Sequence, residues 1–564
     1  MTIRGEMMSI SETQPWLKTY AHLPQLSEPV PHSTGDQLLR DTVERFPDRR
    51  AITYFGYEPT WAEIDRQAEA FGAWLTDEGI GAGDRIGVYL QNTPHYHIAV
   101  FGAWKIGAIP VPLNPMYRDE LAHIFADSGI RGLVVSAAAY LDRVKDYCQG
   151  LEWVLTCKDT DFQTTNDERI FGIFADHYDT GCAELLDVVK ANDGRTVPAP
   201  ELTPDDTAII GYTSGTSGRS KGAAVTHRGV TVNSLALGIH QGLDENDVIF
   251  TLAPVFHITG FVCQFIASAA IGAALAMNYR FEPASTLEIF RREKPQYMAG
   301  PATAYMALLA HPTFDTDAFD SFKSLMSGGA PLPDAIVRKF EERTGHYIGQ
   351  GYGLTETTAQ CVVVPPGMRA PVDPDSGNLS CGLPVPGVVV RILDDLGAEL
   401  GPGEIGEICV RGPMVVGEYI NNPSATASEI PDGELRTGDV GFIDADGWVF
   451  IVDRKKDMIN ASGFKVWPRE IEDVLYNHPA VLEAAVVGVP DEYRGESVTA
   501  FVSLQPGAEV TGEDLIAYCR EHLASYKAPR TISFIEALPK TASGKILRRE
   551  MRRMGAEQAA EQAS

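Results

Sequence analysis

Residues 212–222 read YTSGTSGRSKG and directly follow the apolar run TAIIG at residues 207–211. Glycines interleaved with serines and threonines make a flexible loop whose backbone N–H groups and hydroxyls can wrap a polyphosphate, and Lys221 adds positive charge. The loop lacks the Gly-Lys-Ser/Thr tripeptide of a Walker A motif. Taken alone, the segment fits either a phosphate-binding loop or a solvated Ser/Gly turn.

A second motif, GYGLTETT, occupies residues 351–358. Its two leading glycines allow a flat ring or a phosphate to approach the backbone closely, and Glu356 offers a hard oxygen ligand of the kind that Mg²⁺ prefers. The alternative is a strand-to-turn connection that carries a surface glutamate.

A third motif combines RTGDVG at residues 436–441 with DRKKD at residues 453–457. The carboxylate of Asp439 can accept both hydroxyls of a ribose, while the fork of Arg454 suits a phosphate or a carboxylate. An ordinary Asp-containing turn followed by a solvated run of charges is the competing interpretation.

A fourth motif, PKTASGKILRREMR, occupies residues 539–552. Lys545 lies where a mobile loop can present an ammonium group to a reacting carboxylate and phosphate. For the arginines that follow, we expect a solvated helix face. These are Arg548, Arg549, Arg552 and Arg553.

Outside the motifs, the first part of the chain alternates helical and strand patterns. Residues 60–80 have the helical apolar period, with Thr60 as N-cap and Glu63 completing a capping box. Short apolar runs between helical segments predict parallel βαβ units. These runs are residues 84–90, 107–113 and 131–136.

The later part of the chain changes texture. After about residue 365, β-rich segments broken by Gly-Pro, Asp-Gly and Pro-Gly turns predict a small antiparallel, barrel-like unit. Beyond residue 454 a separate α+β alternation begins. Its predicted helices are residues 469–477 and 512–523, and its predicted strands are residues 484–489 and 498–504.

Composition limits the classes of function. The chain has 564 residues and a formal net charge of −29, so its global field repels polyanions and argues against a broad nucleic-acid interface. Eight cysteines without metal spacing fit reduced thiols in a cytoplasmic protein.

Residues 248–279 lack Asp, Glu, Lys and Arg. Their proline, histidine and many small residues favour a buried helix at residues 261–277 over a membrane span.

The four motifs, in this order, resemble the adenylate-forming superfamily of acyl-CoA synthetases, aryl-CoA ligases, beetle luciferases and peptide-synthetase adenylation domains. The resemblance covers about residues 32–553. Within it, residues 453–472 and 478–496 are most similar to bacterial medium- and long-chain fatty acyl-CoA ligases.

The resemblance implies an α/β fold with a large amino-terminal lobe and a smaller, mobile α+β carboxy-terminal domain. The lobe would span residues 1–455, with α/β subdomains at about 1–200 and 201–365 and a β-barrel-like subdomain at about 366–455. The carboxy-terminal lid domain would span residues 456–564.

The resemblance also implies site residues. Catalysis would involve Lys545, Glu356, Thr355 and His257, and Mg²⁺ would contact Thr216 and Glu356. The acyl pocket would include His257, Phe261 and Gly328. ATP and AMP would be bound by Thr213, Ser214, Gly215, Thr216, Ser217, Gly218, Lys221, Gly329, Ala330, Gly351, Tyr352, Gly353, Asp439 and Arg454.

For the second half-reaction, the resemblance implies that the lid rotates about Lys456. Ser462, Gly463 and Lys465 would then meet CoA. The sequence departs from the family at Ser217 and Ser220, where Thr and Pro are frequent. It also departs at Asn460, where luciferases and plant aryl-CoA ligases carry a lysine, and this departure favours the fatty acyl branch.

The implied reaction converts a carboxylate, ATP and CoA to acyl-CoA, AMP and pyrophosphate. The expected acid is a medium- or long-chain fatty acid, and the expected cofactor is Mg²⁺. We leave open an acyl-AMP ligase that loads a carrier protein and an aryl- or dicarboxylate-CoA ligase. A kinase-type enzyme has less support because the kinase motifs are missing. A catalytically silent binding protein has less support because the side chains expected to do the chemistry are present, namely Lys545, Asp439, Glu356 and Arg454. Peripheral membrane contact and a homodimer are also left open.

Overall fold

The largest sheet of the protein has eight strands, and most of them are parallel. The computed structural model describes residues 9–21, 34–118, 120–175, 177–213, 219–330, 332–374, 377–461, 464–491, 495–541 and 545–563. The strands of this sheet, in spatial order, are Ile52–Thr53, Ala274–Ala276, Val248–Phe250, Tyr297–Gly300, Ser324–Gly328, Ile348–Leu354, Ala359–Val363 and Leu383–Pro384. The last two pair antiparallel, and the others pair parallel.

Two further sheets belong to the first part of the chain. One is fully parallel, in the order Ile109–Pro112, Arg85–Tyr89, Gly132–Ser136, Trp153–Cys157 and Ala183–Glu184. The other is an antiparallel ribbon of Thr207–Tyr212 and Gly222–Thr226. The parallel pairing predicted for residues 84–90, 107–113 and 131–136 is therefore confirmed, and the 212–222 motif connects the two strands of the ribbon.

The later part of the chain is β-rich as expected. An antiparallel sheet runs in sequence order through Val389–Leu393, Gly406–Arg411, Leu435–Ile443 and Val449–Arg454. Beyond it a second sheet runs in the order Phe464–Val466, Ile459–Ala461, Gly495–Leu504 and Val481–Asp491, with Thr531–Phe534 parallel to Gly495–Leu504. This second sheet has an apolar core of its own, which includes Val486, Ala500 and Leu515.

Helices cover the sheets and connect their strands. The α-helices are Ile10–Thr13, Leu17–Tyr20, Gly35–Arg45, Trp61–Asp77, His95–Trp104, Glu120–Ser128, Ala137–Ala139, Glu168–Phe171, Leu185–Ala191, His227–His240, Ile258–Gly260, Ala267–Ile271, Pro283–Glu293, Ala302–Ala310, Asp334–Thr344, Pro423–Glu429, Pro468–Tyr476, Gly512–His522 and Arg548–Ala563. Short 3₁₀ turns are Lys145–Cys148, Thr316–Phe319, Thr355–Thr357 and Pro431–Gly433, and π-helical turns are Tyr140–Val144 and Phe261–Ile266.

The helix predicted at residues 60–80 forms as Trp61–Asp77, and its capping box is present. The side chain of Thr60 accepts from the backbone N–H of Glu63, and the Glu63 carboxylate accepts from the backbone N–H of Thr60 at 2.8 Å. Two orphan N–H groups at the helix start are thereby satisfied, as the sequence pattern predicts.

The apolar stretch at residues 261–277 is buried as predicted, but it is not one helix. Helical structure ends at Ile271, where Gly272 adopts a left-handed conformation with φ of 76°, and a buried strand follows at Ala274–Ala276. The prediction was wrong there because a continuous apolar run lacks the period that separates a buried helix from a buried strand. In the described part of the chain, every helix falls short of the length and apolarity needed to span a membrane.

Candidate active site

The carboxyl ends of neighbouring parallel strands bring the predicted motifs to one edge of the eight-stranded sheet. Gly329 follows the strand Ser324–Gly328, Thr355 follows Ile348–Leu354, and His257 lies a few residues after Val248–Phe250. Because parallel strands share the direction of their carboxyl ends, segments far apart in sequence meet at this edge.

The two ends of the predicted phosphate-binding loop are held together by the antiparallel ribbon of Thr207–Tyr212 and Gly222–Thr226. The backbone N–H of Thr213 donates to the carbonyl of Lys221 at 2.9 Å. Thr355 packs against the strand that enters the loop, since a Cβ at Gly211 would come within 2.7 Å of the Thr355 methyl carbon. The predicted ligands Ser214, Gly215, Thr216, Ser217 and Gly218 lie outside the described residues.

A chain of polar contacts connects Lys221 to Glu356. The ammonium of Lys221 is ion-paired with Glu429 and lies 4.2 Å from the centroid of the Tyr419 ring. The Tyr419 hydroxyl lies 2.7 Å from Oε1 of Glu356 and 2.9 Å from Oε2 of Glu429. Burial and the two carboxylates raise the pKa of Tyr419, so its hydroxyl stays protonated and is a donor. The predicted phosphate cation and the predicted metal ligand are thereby joined by one phenol.

The residues predicted to hold the nucleoside also lie together. Asp439 and Arg454 face each other across adjacent antiparallel strands, with Nε of Arg454 3.2 Å from Oδ1 of Asp439. The Tyr352 hydroxyl donates to Oδ2 of Asp439 at 2.7 Å. Burial raises the pKa of Tyr352, and the negative charge of Asp439 raises it further.

Glycines leave open backbone beside this cluster. Gly329 has φ of 80°, and among the described residues the Lys545 side chain would be the nearest to a Cβ there, at 3.3 Å. A Cβ at Gly351 would find its nearest neighbour at 3.8 Å. A Cβ at Gly353, in contrast, would collide with the carbonyl oxygen of Ala359. Gly329 and Gly351 therefore leave space for a flat ligand, whereas Gly353 is required by the fold. Ala330 is half-buried next to Gly329.

Lys545 comes from the far end of the chain to this same place. Its side chain lies against Gly329, and its pKa is lowered to about 8, first by burial and then by the positive charge of Arg454. The negative charges of Asp439 and Glu356 partly oppose this shift. The structure therefore brings together the lysine, the ribose carboxylate and the metal-ligand glutamate that the sequence predicts.

His257 faces the same region from the side of the predicted acyl pocket. Burial lowers the pKa of His257 to about 3, and the nearby charge of Lys545 lowers it further, so this imidazole is neutral at physiological pH. Its Nδ1 accepts from the backbone N–H of Thr259 at 3.4 Å. Phe261 is fully buried, and Gly328 lies beside the carbonyl of Gly351.

Small residues in the predicted acyl region are tightly packed. A Cβ at Gly300 would come within 2.5 Å of the Leu252 side chain, and one at Gly260 would collide with the backbone of Pro254. The ring of Phe265 packs against Phe261 at a centroid distance of 5.4 Å. Gly300 and Gly260 thus permit close packing in this region.

The residues predicted to meet CoA are on the carboxy-terminal sheet. Lys465 is exposed and pairs in register with Asn460, and its charge contributes to the lowered pKa of Asp395, behind the larger contribution of Lys455. Ser462 and Gly463 lie outside the described residues. Lys456, the predicted hinge, is exposed in the turn after Val449–Arg454. Lys545, and not Lys465, is therefore the lysine that lies beside Gly329, Arg454 and Asp439 in this structure.

Two of the four arginines expected on a solvated helix face are ion-paired with carboxylates outside their own helix. Arg548 pairs with Glu472 and donates to the carbonyl of Val486 at 2.7 Å. Arg552 pairs with Asp457 at 2.6 Å. A helical face without apolar residues can still be buried when carboxylates of another element face it, and the sequence of one helix cannot reveal those partners.

Three residues of this region carry no signal in the motifs. Tyr419 and Glu429 lie in GEYINNPSATASE, where Asn422 and Pro423 predict a helix start but nothing predicts contact with Lys221. Arg469 is buried and donates to the carbonyl of Ile451 at 3.0 Å. The contact of Glu429 with Lys221 spans 208 residues, so only the tertiary structure reveals it.

Comparisons with known proteins place this geometry in a family. A family model described as AMP-binding enzyme matches residues 39–420, and one described as AMP-binding enzyme C-terminal domain matches residues 470–545. A long-chain-fatty-acid–CoA ligase of Bacillus subtilis is 35% identical, over 95% of this chain and 97% of that protein.

Two solved structures are also similar. ATP-bound MatB from Rhodopseudomonas palustris has a TM-score of 0.82 at 28% identity and covers 93% of this chain and 99% of its own. The anthranilate CoA ligase AuaEII in complex with anthranoyl-AMP has a TM-score of 0.83 at 28% identity, over 93% and 98% of the two chains. The chain therefore belongs to the AMP-binding enzyme family and is one of its AMP-forming acyl-CoA synthetases, with ATP and CoA as substrates.

Proposed function

We propose that the chain is an ATP-dependent fatty acyl-CoA ligase, which joins a fatty acid to CoA through an acyl-adenylate. The observation that carries this proposal is Lys545 beside Gly329, near Arg454, Asp439 and Glu356. An ammonium at this point faces the place where the charges of a carboxylate and an α-phosphate would converge.

In the proposed binding mode, each part of ATP has its own group of residues. The adenine lies against Gly329, Ala330, Gly351, Tyr352 and Gly353. Asp439 accepts the ribose hydroxyls, with Arg454 beside it, and Thr355 reaches the α-phosphate. Thr213, Ser214, Gly215, Thr216, Ser217, Gly218 and Lys221 hold the triphosphate.

The first half-reaction needs positioning and charge stabilisation more than a protein nucleophile. A carboxylate oxygen of the acid bonds to the α-phosphorus while the bond from that phosphorus to the bridging oxygen breaks, and pyrophosphate leaves. Lys545 stabilises the negative charge that gathers on the α-phosphate oxygens. Neutral His257 borders the acid without adding a second positive charge.

Mg²⁺ fits the donors on the phosphate side of the site. Within the described residues, no group of three or more His, Cys, Asp or Glu side chains is arranged to hold a metal ion. The buried carboxylate of Glu356 lies in the turn Thr355–Thr357, and Thr355 of that turn packs against Gly211 of the ribbon. Mg²⁺ is usually bound by one or two carboxylates together with substrate phosphates and water, so Glu356 and Thr216 would suffice. When bound, the ion neutralises phosphate charge.

The second half-reaction requires a different arrangement of the carboxy-terminal domain. We infer that residues 456–564 rotate about Lys456, withdraw Lys545 and bring Ser462, Gly463 and Lys465 to the site. The CoA thiol loses its proton to water, its sulfur bonds to the acyl carbon, the carbon–oxygen bond to the phosphate breaks, and AMP leaves. The position of Lys465 near Asp395 belongs to the arrangement before this rotation.

A fatty acid is the best-supported acid. Phe261 and the surrounding segment are apolar and buried, and the Bacillus subtilis relative is named for long-chain fatty acids. The likeness to an anthranilate CoA ligase, together with the aromatic rings at Phe261 and Phe265, favours an aromatic acid as the second candidate. We further propose a cytoplasmic location, with homodimer formation and peripheral membrane contact as separate questions for solution measurements.

A panel of acids tests this proposal. We expect AMP release to be fastest with medium- or long-chain fatty acids, and CoA rather than a holo-carrier protein to accept the acyl group. The measurement is AMP formed from acetate to palmitate, from benzoate and from dicarboxylates, with and without each thiol. Fastest turnover of benzoate would support the aromatic alternative, and absence of AMP with every acid would contradict the proposal.

A further inference from the structure

Glu429 is the last residue of the helix Pro423–Glu429. It is paired with Lys221, the lysine that is expected to bind the triphosphate. Its carboxylate is ion-paired with Lys221 and lies 2.9 Å from the Tyr419 hydroxyl. The Lys221 side chain is 22% exposed and that of Glu429 is 39% exposed. The contacts with Lys221 and Tyr419 hold this carboxylate in place, and water still reaches it.

Two carboxylates compete for one hydroxyl proton at this point. Tyr419 has a single O–H, whereas Glu356 and Glu429 both lie within hydrogen-bond distance of it. The hydroxyl can donate to only one of them at a time. Because the Tyr419 hydroxyl is shared with Glu356, Lys221 is the constant partner of the Glu429 carboxylate.

A triphosphate that binds Lys221 must displace this partner or lie beside its negative charge. We propose that Glu429 competes with the triphosphate for Lys221. Its carboxylate neutralises Lys221 before ATP binds and again as pyrophosphate leaves. Glu429 acts through Lys221 and is thus a positioning residue. This inference rests on the proposed function, because it takes Lys221 as a ligand of the triphosphate.

The exposure of the pair decides how strong this competition is. An ion pair at such exposure shifts an equilibrium by up to about fivefold, and a like charge beside a phosphate adds to that. We expect ATP to bind about three- to tenfold more tightly once the carboxylate is removed. An effect of this size slows neither binding nor catalysis severely, but it helps a product that carries several negative charges to dissociate.

The opposite role would give an effect of opposite sign. If Glu429 instead oriented Lys221 towards the phosphates, then removing the carboxylate would weaken ATP binding. The direction of the change in ATP affinity therefore separates a competitor from a support.

The test compares Glu429→Gln with Glu418→Gln, which removes the same charge from an exposed residue of the same segment. ATP dissociation constants are measured by titration without acid, and pyrophosphate inhibition constants are measured in the full reaction. For Glu429→Gln we expect both constants to fall about three- to tenfold, and for Glu418→Gln we expect less than a twofold change. Unchanged or higher constants for Glu429→Gln would overturn the inference.

A double-mutant cycle with Lys221→Ala tests the route of the effect. Glu429→Gln should give a clearly smaller gain in ATP affinity when Lys221 is already absent, because only the direct repulsion of the phosphates then remains, and an equal gain in both backgrounds would overturn the inference. Wild-type protein that fails to bind ATP at all would instead contradict the proposed function, so the two failures are distinguishable.

Discussion

The side chains of the nucleotide cluster depend on one another through direct contacts. Tyr352 supports Asp439 from one side and Arg454 supports it from the other, at 2.7 Å and 3.2 Å. A carboxylate held by two donors keeps its orientation, which matters if it must accept two ribose hydroxyls at once. The tyrosine therefore has two expected functions, a ring beside the adenine and a hydroxyl that orients the ribose carboxylate.

Tyr352→Phe separates these two functions. The ring remains while the hydrogen bond to Asp439 is lost, and a hydrogen bond to a charged group is worth about 1.5 kcal/mol or more. We expect the dissociation constant of ATP to rise about tenfold, as measured by nucleotide titration. The control is 2′,3′-dideoxy-ATP, for which the variant and the wild type should bind alike. An equal penalty for both nucleotides would contradict the assignment of Asp439 to the ribose.

The lowered pKa of Lys545 predicts a pH dependence of the first half-reaction. Because the pKa in the folded protein is about 8, the ammonium form is present below pH 8 and is lost as the pH rises through that value. We expect kcat/KM for ATP in acid-dependent pyrophosphate exchange to decline above about pH 8, since this parameter reports the free enzyme.

Lys545→Arg is the matched variant for this prediction. A guanidinium keeps its charge throughout the tested range, so the variant should be less active but should lose the decline near pH 8. A decline near pH 8 that persists in Lys545→Arg would assign the titration to another group.

At the scale of elements, the strand Val449–Arg454 and the helix Pro468–Tyr476 contact each other across the proposed hinge. The backbone N–H of Arg469 donates to Asp453 at 2.9 Å, and its guanidinium donates to the carbonyl of Ile451. Burial raises the pKa of Asp453 and of Asp473 to about 6, so both are ionised at pH 7 at an energetic cost. The positive charge of Arg548 offsets part of that cost at Asp453, and the buried guanidinium of Arg469 offsets part of it at Asp473.

Arg469→Ala should therefore weaken this arrangement selectively. The substitution leaves the mostly buried Asp473 without its ion-pair partner, which lies 3.5 Å away, and such a loss costs about 3–5 kcal/mol. It also removes the side-chain contact with Ile451, which joins segments on opposite sides of the proposed hinge, while the backbone N–H of residue 469 still donates to Asp453. We expect acid-dependent pyrophosphate exchange to fall at least about tenfold, while thioester formation from preformed acyl-adenylate changes much less. Arg469→Lys, which retains a charge, should lie between the two. Equal loss of both half-reactions would mean that Arg469 supports the folding of its own domain instead.

The elements also show how far local sequence patterns reach. The capping box of Trp61–Asp77 was predictable because both partners lie within one turn. The strand Ala274–Ala276 was not, because an apolar run buried on all sides has no period. The partners of Arg548 and Arg552 were not predictable either, since the carboxylates that pair with them come from Glu472 and Asp457, which lie 76 and 95 residues away.

For the whole molecule, the sequence predicted the alternation of parallel α/β, antiparallel β and a final α+β unit. The motif order also predicted that Lys545, Asp439, Glu356 and Tyr352 share one site, and the structure brings their side chains together. Tyr419 and Glu429 were missed because their importance depends on packing between distant segments. A motif names the groups that do the chemistry, whereas the residues that restrain those groups follow only from the fold.

The same organisation is compatible with the proposal that one site serves two reactions in turn. The residues of the proposed nucleotide pocket lie on sheets before residue 455, while Lys545 and Lys465 both lie beyond it. The proposed rotation of residues 456–564 would exchange one lysine for the other without rebuilding that pocket. Under this proposal, Lys545 acts in only one of the two half-reactions.

The most direct test measures each half-reaction separately in Lys545→Ala. We predict that acid-dependent exchange of pyrophosphate into ATP falls by at least about a hundredfold, because the ammonium beside the α-phosphate is lost. Transfer of the acyl group from preformed acyl-adenylate to CoA should stay within a few-fold of the wild type. Near-normal pyrophosphate exchange in this variant, or a parallel loss of both steps, would contradict the account.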